Sequence, residues 1–165
     1  MRSFSILCLA ALLASPGFAQ EAPKDLVDYR GFEQLTGEVF GYRETHMVSL
    51  EDFRARAAKP DTIILDTRSA AAFAAGHIEG AVNLPFSDFT ETSLKEVIGE
   101  TTDREILIYC NNNFTDNVAP VPSKKAQLAL NIPTFINLYG YGYRNIYELQ
   151  GAYQMQDPAI AWTSQ

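Results

Sequence analysis

Hydrophobic positions along this chain fall in short runs separated by polar, glycine-bearing or proline-bearing stretches, and the runs differ in kind. Ile106-Leu107-Ile108-Tyr109 is continuous and apolar, the pattern of a strand covered on both faces at the centre of a parallel sheet. Residues 62–65, β-branched and apolar between Asp61 and Asp66, predict a second buried strand. Residues 81–84, closed by Pro85, predict a short third strand, and residues 134–138 and 145–149 two more. Helical stretches lie between them. Ser49 is placed to cap a helix from Leu50 to about Ala58, with Glu51 and Asp52 suited to its first turn. Residues 69–75 predict a short helix stopped by Gly76, residues 87–98 another stopped by Gly99, and residues 123–130 one more, capped by Ser123. Strands that alternate with helices imply crossover connections, so the expected fold is α/β: a parallel β-sheet with helices on both faces. Residues 20–45 read as an N-terminal extension wrapping a domain at 46–165, with Tyr29, Phe32, Val39, Phe40 and Tyr42 as packing anchors.

The first 19 residues have a different layout. Arg2 gives a positive start, residues 4–14 are uncharged and mostly apolar, and Ser15, Pro16 and Gly17 break the run before small residues ending at Ala19. This predicts a signal peptide, cleaved after Ala19, and a periplasmic or secreted protein. The apolar run is short of the roughly 20 residues that a spanning helix needs, so no membrane association is expected after cleavage. The net charge of −7 becomes −8 without Arg2. An acidic chain without a basic run speaks against nucleic acid as a partner, and any attraction of a small anion must be local.

Cysteine usage changes the picture most. Cys8 leaves with the signal, so Cys110 is the one mature thiol and has no internal disulfide partner. It follows directly on the central predicted strand, at the carboxyl edge where open parallel sheets bind ligands. A buried core cysteine is the plainer alternative. After it comes Asn111-Asn112-Asn113-Phe114-Thr115-Asp116-Asn117, and asparagine tolerates left-handed backbone geometry. Such a loop can curl so that successive N–H groups face inward, and with the positive end of the following helix it makes an anion site. That arrangement would lower the thiol pKa of Cys110 and favour a nucleophilic thiolate. An asparagine-rich surface loop of no special geometry is the alternative. Lys124 and Lys125 fall in the first turn of the helix expected after Ser123, where cations oppose the helix dipole. Nothing calls for a cofactor, and no metal-ligand spacing surrounds His46, His77 or Cys110.

At this point a resemblance becomes specific. Ile64-Leu65-Asp66-Thr67-Arg68-Ser69, followed by Phe73-Ala74-Ala75-Gly76-His77-Ile78-Glu79-Gly80-Ala81-Val82-Asn83-Leu84-Pro85, resembles the two linked signature motifs of rhodanese domains. Residues 106–110 are similar to that family's strand ending in the catalytic cysteine, and residues 143–151 to its closing strand and glycine turn. The resemblance covers residues 47–162 and implies a sulfurtransferase. In that role Cys110 takes a sulfane sulfur from a thiosulfate-like donor, holds it as a persulfide, and passes it to a nucleophilic acceptor. Loop residues Asn111, Asn112, Asn113, Phe114 and Thr115 would then surround the substrate, Asp66, Arg68 and His77 match motif positions as supporting residues, and Lys124, read from its charge alone, would attract the anion unless it is a solvated surface lysine. The expected partner is a small sulfur-containing anion or a persulfide-carrying protein.

The sequence departs from the family pattern in three ways. About a dozen residues separate Cys110 from Ser123, longer than the usual cradle, and the stretch 111–117 has no arginine to close it. Ala71 and Ala72 stand where an acidic partner for Arg68 is common, leaving Asp66, Glu79 or a carbonyl to serve. The absent loop arginine argues against a cysteine phosphatase, which needs a bidentate phosphate clamp. The remaining alternative is a non-catalytic binding or redox-partner module using the long loop, with Phe114, Val118 and Val121 as apolar contacts for a protein partner. Asn113-Phe114-Thr115 also matches a glycosylation sequon, accidental if the protein is periplasmic.

Overall fold

In the computed structural model, which describes residues 26–164, the main elements follow in order. They are α1 (Tyr29–Glu44), β1 (Met47–Val48), α2 (Leu50–Ala57), β2 (Ile63–Asp66), α3 (Ala70–Ala75), β3 (His77–Ile78) and β4 (Ala81–Asn83). Then come α4 (Glu91–Ile98), β5 (Ile106–Tyr109), α5 (Asn131–Gly140), β6 (Ile146–Leu149) and β7 (Trp162–Thr163). The predicted signal peptide and its cleavage site lie outside the described residues.

Five strands form one parallel sheet in the order β1-β6-β5-β2-β4, with β5 at its centre. Of the three inner strands, β2 and β5 are buried at every residue. Their side chains alternate between two apolar clusters, as the strand period of two requires. Ile63, Leu65, Ile106 and Ile108 point to one side, against Leu94 and Ile98 of α4, Phe135 and Leu138 of α5, and Val39 of α1. Ile64, Leu107 and Tyr109 point to the other, against Phe53 of α2 and Ile78, Phe114, Val121 and Ile160. The expected architecture of helices on both faces of a parallel sheet is therefore present.

Local chemistry sets the helix starts. Ser49 Oγ accepts from Asp52 N at 3.1 Å and Ser69 Oγ from Ala72 N at 3.2 Å, satisfying N–H groups that have no partner inside the helix. Thr90 and Ser93 cap α4 reciprocally, so that helix starts at Glu91, after a 3-10 turn at Phe86–Asp88, rather than at residue 87.

Three expectations are corrected. Residues 123–130 form no α-helix, only a 3-10 turn at Ala126–Leu128, so Ser123 is not a cap and the two lysines oppose no helix dipole. Residues 134–138, expected as a strand, belong to α5. Its buried Asn131, Thr134, Phe135 and Leu138 recur at i, i+3, i+4 and i+7, the helical spacing, and Pro133 is tolerated within the first turn. The N-terminal extension packs on the domain as a helix, capped by Asp28 accepting from Gly31 N at 2.9 Å, but not all of its expected anchors face inward. A helix offers one stripe to its support, so Leu35, Val39 and Tyr42 pack inward while Tyr29, Phe32 and Phe40 stay exposed.

Candidate functional site

Cys110 leaves the end of β5 with only 1% of its surface exposed, yet its sulfur belongs to neither apolar cluster. The main-chain N–H groups of Asn131, Asn112 and Leu130 lie near enough to favour its anion. A set of main-chain donors is thus present, but its membership differs from expectation. One donor comes from the asparagine run and two from the start of α5, whose positive end supplies what was expected of a helix at Ser123. Burial pushes the Cys110 thiol above its ordinary pKa; the three donors pull it down, and the Glu148 carboxylate adds to the rise. The expected lowering does not occur, because loss of solvent outweighs the donors.

The asparagines act mainly as stitches. Asn111 Nδ2 donates to Pro122 O at 2.9 Å, and Asn112 exchanges two hydrogen bonds with the main chain of Lys124, at 2.7 and 3.1 Å. Asn113 Nδ2 donates to Leu149 O and Gly151 O, both at 2.9 Å, while its Oδ1 accepts from Cys110 N at 2.9 Å. That buried amide has no free nitrogen for a glycan, so the sequon is closed. Left-handed geometry appears at Asn117 (φ 50°) rather than in the triple run. Its Oδ1 accepts from Ser123 N at 2.9 Å and folds the long loop back on itself.

Phe114 is a core residue instead of a substrate contact: it is 2% exposed and edge-on to Tyr109 and Trp162. Thr115 is tied to Tyr153 O through its N–H at 2.8 Å. Val121 is fully buried, leaving Val118 as the exposed apolar residue of the three expected on the loop. Lys124 is exposed at the mouth of a cleft of about 500 Å³ also lined by Thr67, Arg68, Ser87, Asp88 and Asn111. Asn111 is 9% exposed, and its Oδ1 accepts no hydrogen bond from the protein.

Arg68 finds its partners where the missing acid suggested. Its Nη2 meets Asp66 Oδ2 at 2.6 Å and Gly76 O at 2.7 Å, Nε meets Asp66 Oδ1 at 3.0 Å, and Nη1 reaches Pro120 O at 3.2 Å. Tyr109 Oη also donates to Asp66, so one buried pair joins the ends of β2, β5 and α3 to the covering loop. His77 stacks on Phe73, and its Nδ1 lies 2.8 Å from Phe73 O, a structural engagement within its own turn.

Sequence reasoning missed Asn131, Glu148 and Arg43. Asn131 Nδ2 donates to Asn113 Oδ1 at 3.1 Å and to Glu148 Oε1 at 3.2 Å. Arg43 Nη2 and Nε pair with the two oxygens of Glu148, the former at 2.8 Å. A signal was available: Glu148 alternates inward in a strand with apolar neighbours, and a buried acid needs a cation and donors. Among the described residues, no three or more His, Cys, Asp or Glu side chains converge to hold a metal, and no helix is long and apolar enough to cross a membrane.

Fold and site together define an α/β domain with one thiol set among main-chain donors at the carboxyl edge of its sheet. Residues 49–155 match the rhodanese-like domain, and the chain belongs to that sulfurtransferase-like family. A tRNA uridine(34) hydroxylase of Pectobacterium carotovorum is 25% identical over 103 residues, 61% of this chain; the chain spans a quarter of that relative's length. Two solved structures are similar. The BH2092 protein of Bacillus halodurans shares 17% identity at a TM-score of 0.49, over 73% of this chain and 77% of that one. A rhodanese-like domain of Anabaena sp. shares 18% at 0.48, over 73% and 80%.

Proposed function

We propose that this protein moves a sulfane sulfur from a thiosulfate-like donor to a nucleophilic acceptor through a persulfide on Cys110, after export by its N-terminal segment to the periplasm or beyond. One observation carries the reading: the only thiol of the described residues directly follows the central strand, at the sheet edge where this fold binds ligands, with main-chain N–H groups beside it that favour its anion. In the first half-reaction the Cys110 thiolate attacks the outer sulfur of thiosulfate. A sulfur–sulfur bond forms to Cys110, the donor's own sulfur–sulfur bond breaks, and sulfite leaves with the electron pair. In the second, the acceptor attacks the outer sulfur and the Cys110 thiolate departs. The N–H groups suit the charge that resides on sulfur in both steps, as an oxyanion hole suits oxygen. The neighbouring cleft, lined by Asn111 and the Lys124 cation although not by Cys110 itself, is roomy enough to admit a small sulfur anion.

The near-complete burial of Cys110 favours a second reading, in which the domain is a binding or redox-partner module with Val118 exposed on its contact loop. Sulfite release from thiosulfate in the presence of a small thiol separates the two. Sulfur transfer predicts steady release by the wild-type protein and background release by Cys110→Ser with the fold retained. Background release by the wild-type protein with every sulfane donor tried, while Cys110 can still be alkylated, leaves the second reading standing.

A further inference from the structure

Glu148 lies on β6 directly beside β5, in register with Ile108, and is 6% exposed. A carboxylate so placed needs compensation, and Arg43, in the last turn of α1, supplies it through two hydrogen bonds. From Glu148 the contacts continue to Asn131 Nδ2, from Asn131 to Asn113 Oδ1, and from Cys110 N to that same oxygen. Asn113 is fixed further by its two bonds to Leu149 O and Gly151 O. The side chain of Asn131 is thereby anchored on one side to the arginine-bound acid and on the other to the cysteine loop, while its own main-chain N–H favours the sulfur's anion. Arg43 lies outside residues 49–155, the part of the chain that matches the family.

We propose that Arg43 is a positioning residue for Cys110: by holding Glu148, and through it Asn131, it keeps the main-chain donors aimed at the sulfur and masks the one carboxylate that faces it. The other charges around the site have their own engagements. Asp66 and Arg68 at the end of β2 are closed on each other. Asp116 in the loop accepts from Met155 N, Lys124 and Lys125 are exposed, and α5 carries no charged residue. Glu148 is therefore the charged side chain that acts on the thiol, alongside burial and the main-chain donors, and Arg43 tempers its contribution. The inference rests on Cys110 being the reactive thiol and not on any particular sulfur donor.

The test is the rate of carbamidomethylation of Cys110 across pH, read on the Cys110 peptide of the full chain. Arg43→Gln is expected to move the midpoint up by about one pH unit, making reaction roughly tenfold slower near neutral pH. In a Glu148→Gln background the same Arg43→Gln change is expected to move it less than about twofold in rate, because the charge it masks is gone. Arg43→Lys, which keeps the charge but loses the fork, should fall between wild type and Arg43→Gln, and it replaces that variant if Arg43→Gln does not fold. Superimposable profiles for wild type and the Arg43 variant, or an equal slowing in both backgrounds without a midpoint shift, overturn the proposal. Since no donor enters the measurement, its failure leaves sulfur transfer untouched, and failure of sulfur transfer leaves this result readable.

Discussion

At Cys110 two effects of opposite sign meet. Removal from water favours the neutral thiol, and the N–H groups of Asn131, Asn112 and Leu130 favour the anion; burial prevails, so the thiol titrates above its ordinary range. For a group raised on folding, stability from the neutral form is complete below the unfolded pKa and is lost as pH rises through the folded one. Reactivity runs the other way, since the thiolate is the nucleophile. The alkylation rate of Cys110 should therefore still be climbing at about pH 8.5, the value for a free thiol, while global stability begins to fall over the same window. A rate that levels off below about pH 8 contradicts this balance. Arg68 belongs to a different class of residue: its donors go to Asp66, Gly76 O and Pro120 O, so its work is to join segments.

Among the elements, those whose pattern comes from burial on both faces were legible: β2 and β5 read as continuous apolar runs, and Ser49 and Ser69 mark their helices. Two helices were hidden by composition. α1 carries Gly31, Gly37 and Gly41, each unfavourable in a helix by about 1 kcal/mol against alanine, and packing of Val39 and Leu35 overrides that preference. α5 contains Thr134, Phe135 and Ile136, which read as a strand, while its true period lies in a set that includes the polar Asn131. The cysteine position was readable because strand and loop adjoin in sequence. Asn131 and Glu148 come from distant segments and meet only through the sheet order. The turn after α3 offers a test at this scale. Gly76 has φ +157°, and a Cβ there would stand 2.7 Å from Cε2 of Trp162 in β7, a rigid ring held by Phe114. Gly76→Ala should cost about 1–3 kcal/mol, seen as a lower denaturant midpoint with an unchanged slope. An unaltered midpoint shows that β7 yields easily.

For the molecule as a whole, the family match ends short of a helix that the fold uses. α1 brings Val39 into the larger apolar cluster and Arg43 to Glu148, so the working unit extends beyond residues 49–155. The long loop, one of the departures from the family pattern, is folded back onto the residues that follow the cysteine by Asn111, Asn112 and Asn117. The sulfur is held apart from bulk water, beside a cleft with a cation at its mouth. Such an enclosure fits the storage of a reactive sulfur between two half-reactions. The direct measurement is the intact mass of the protein after incubation with thiosulfate and removal of excess donor. Transfer through Cys110 predicts a gain of one sulfur atom, reversed by a thiol reductant and absent from Cys110→Ser. An unchanged mass with every sulfane donor, while Cys110 is shown by alkylation to be reduced and reachable, contradicts it.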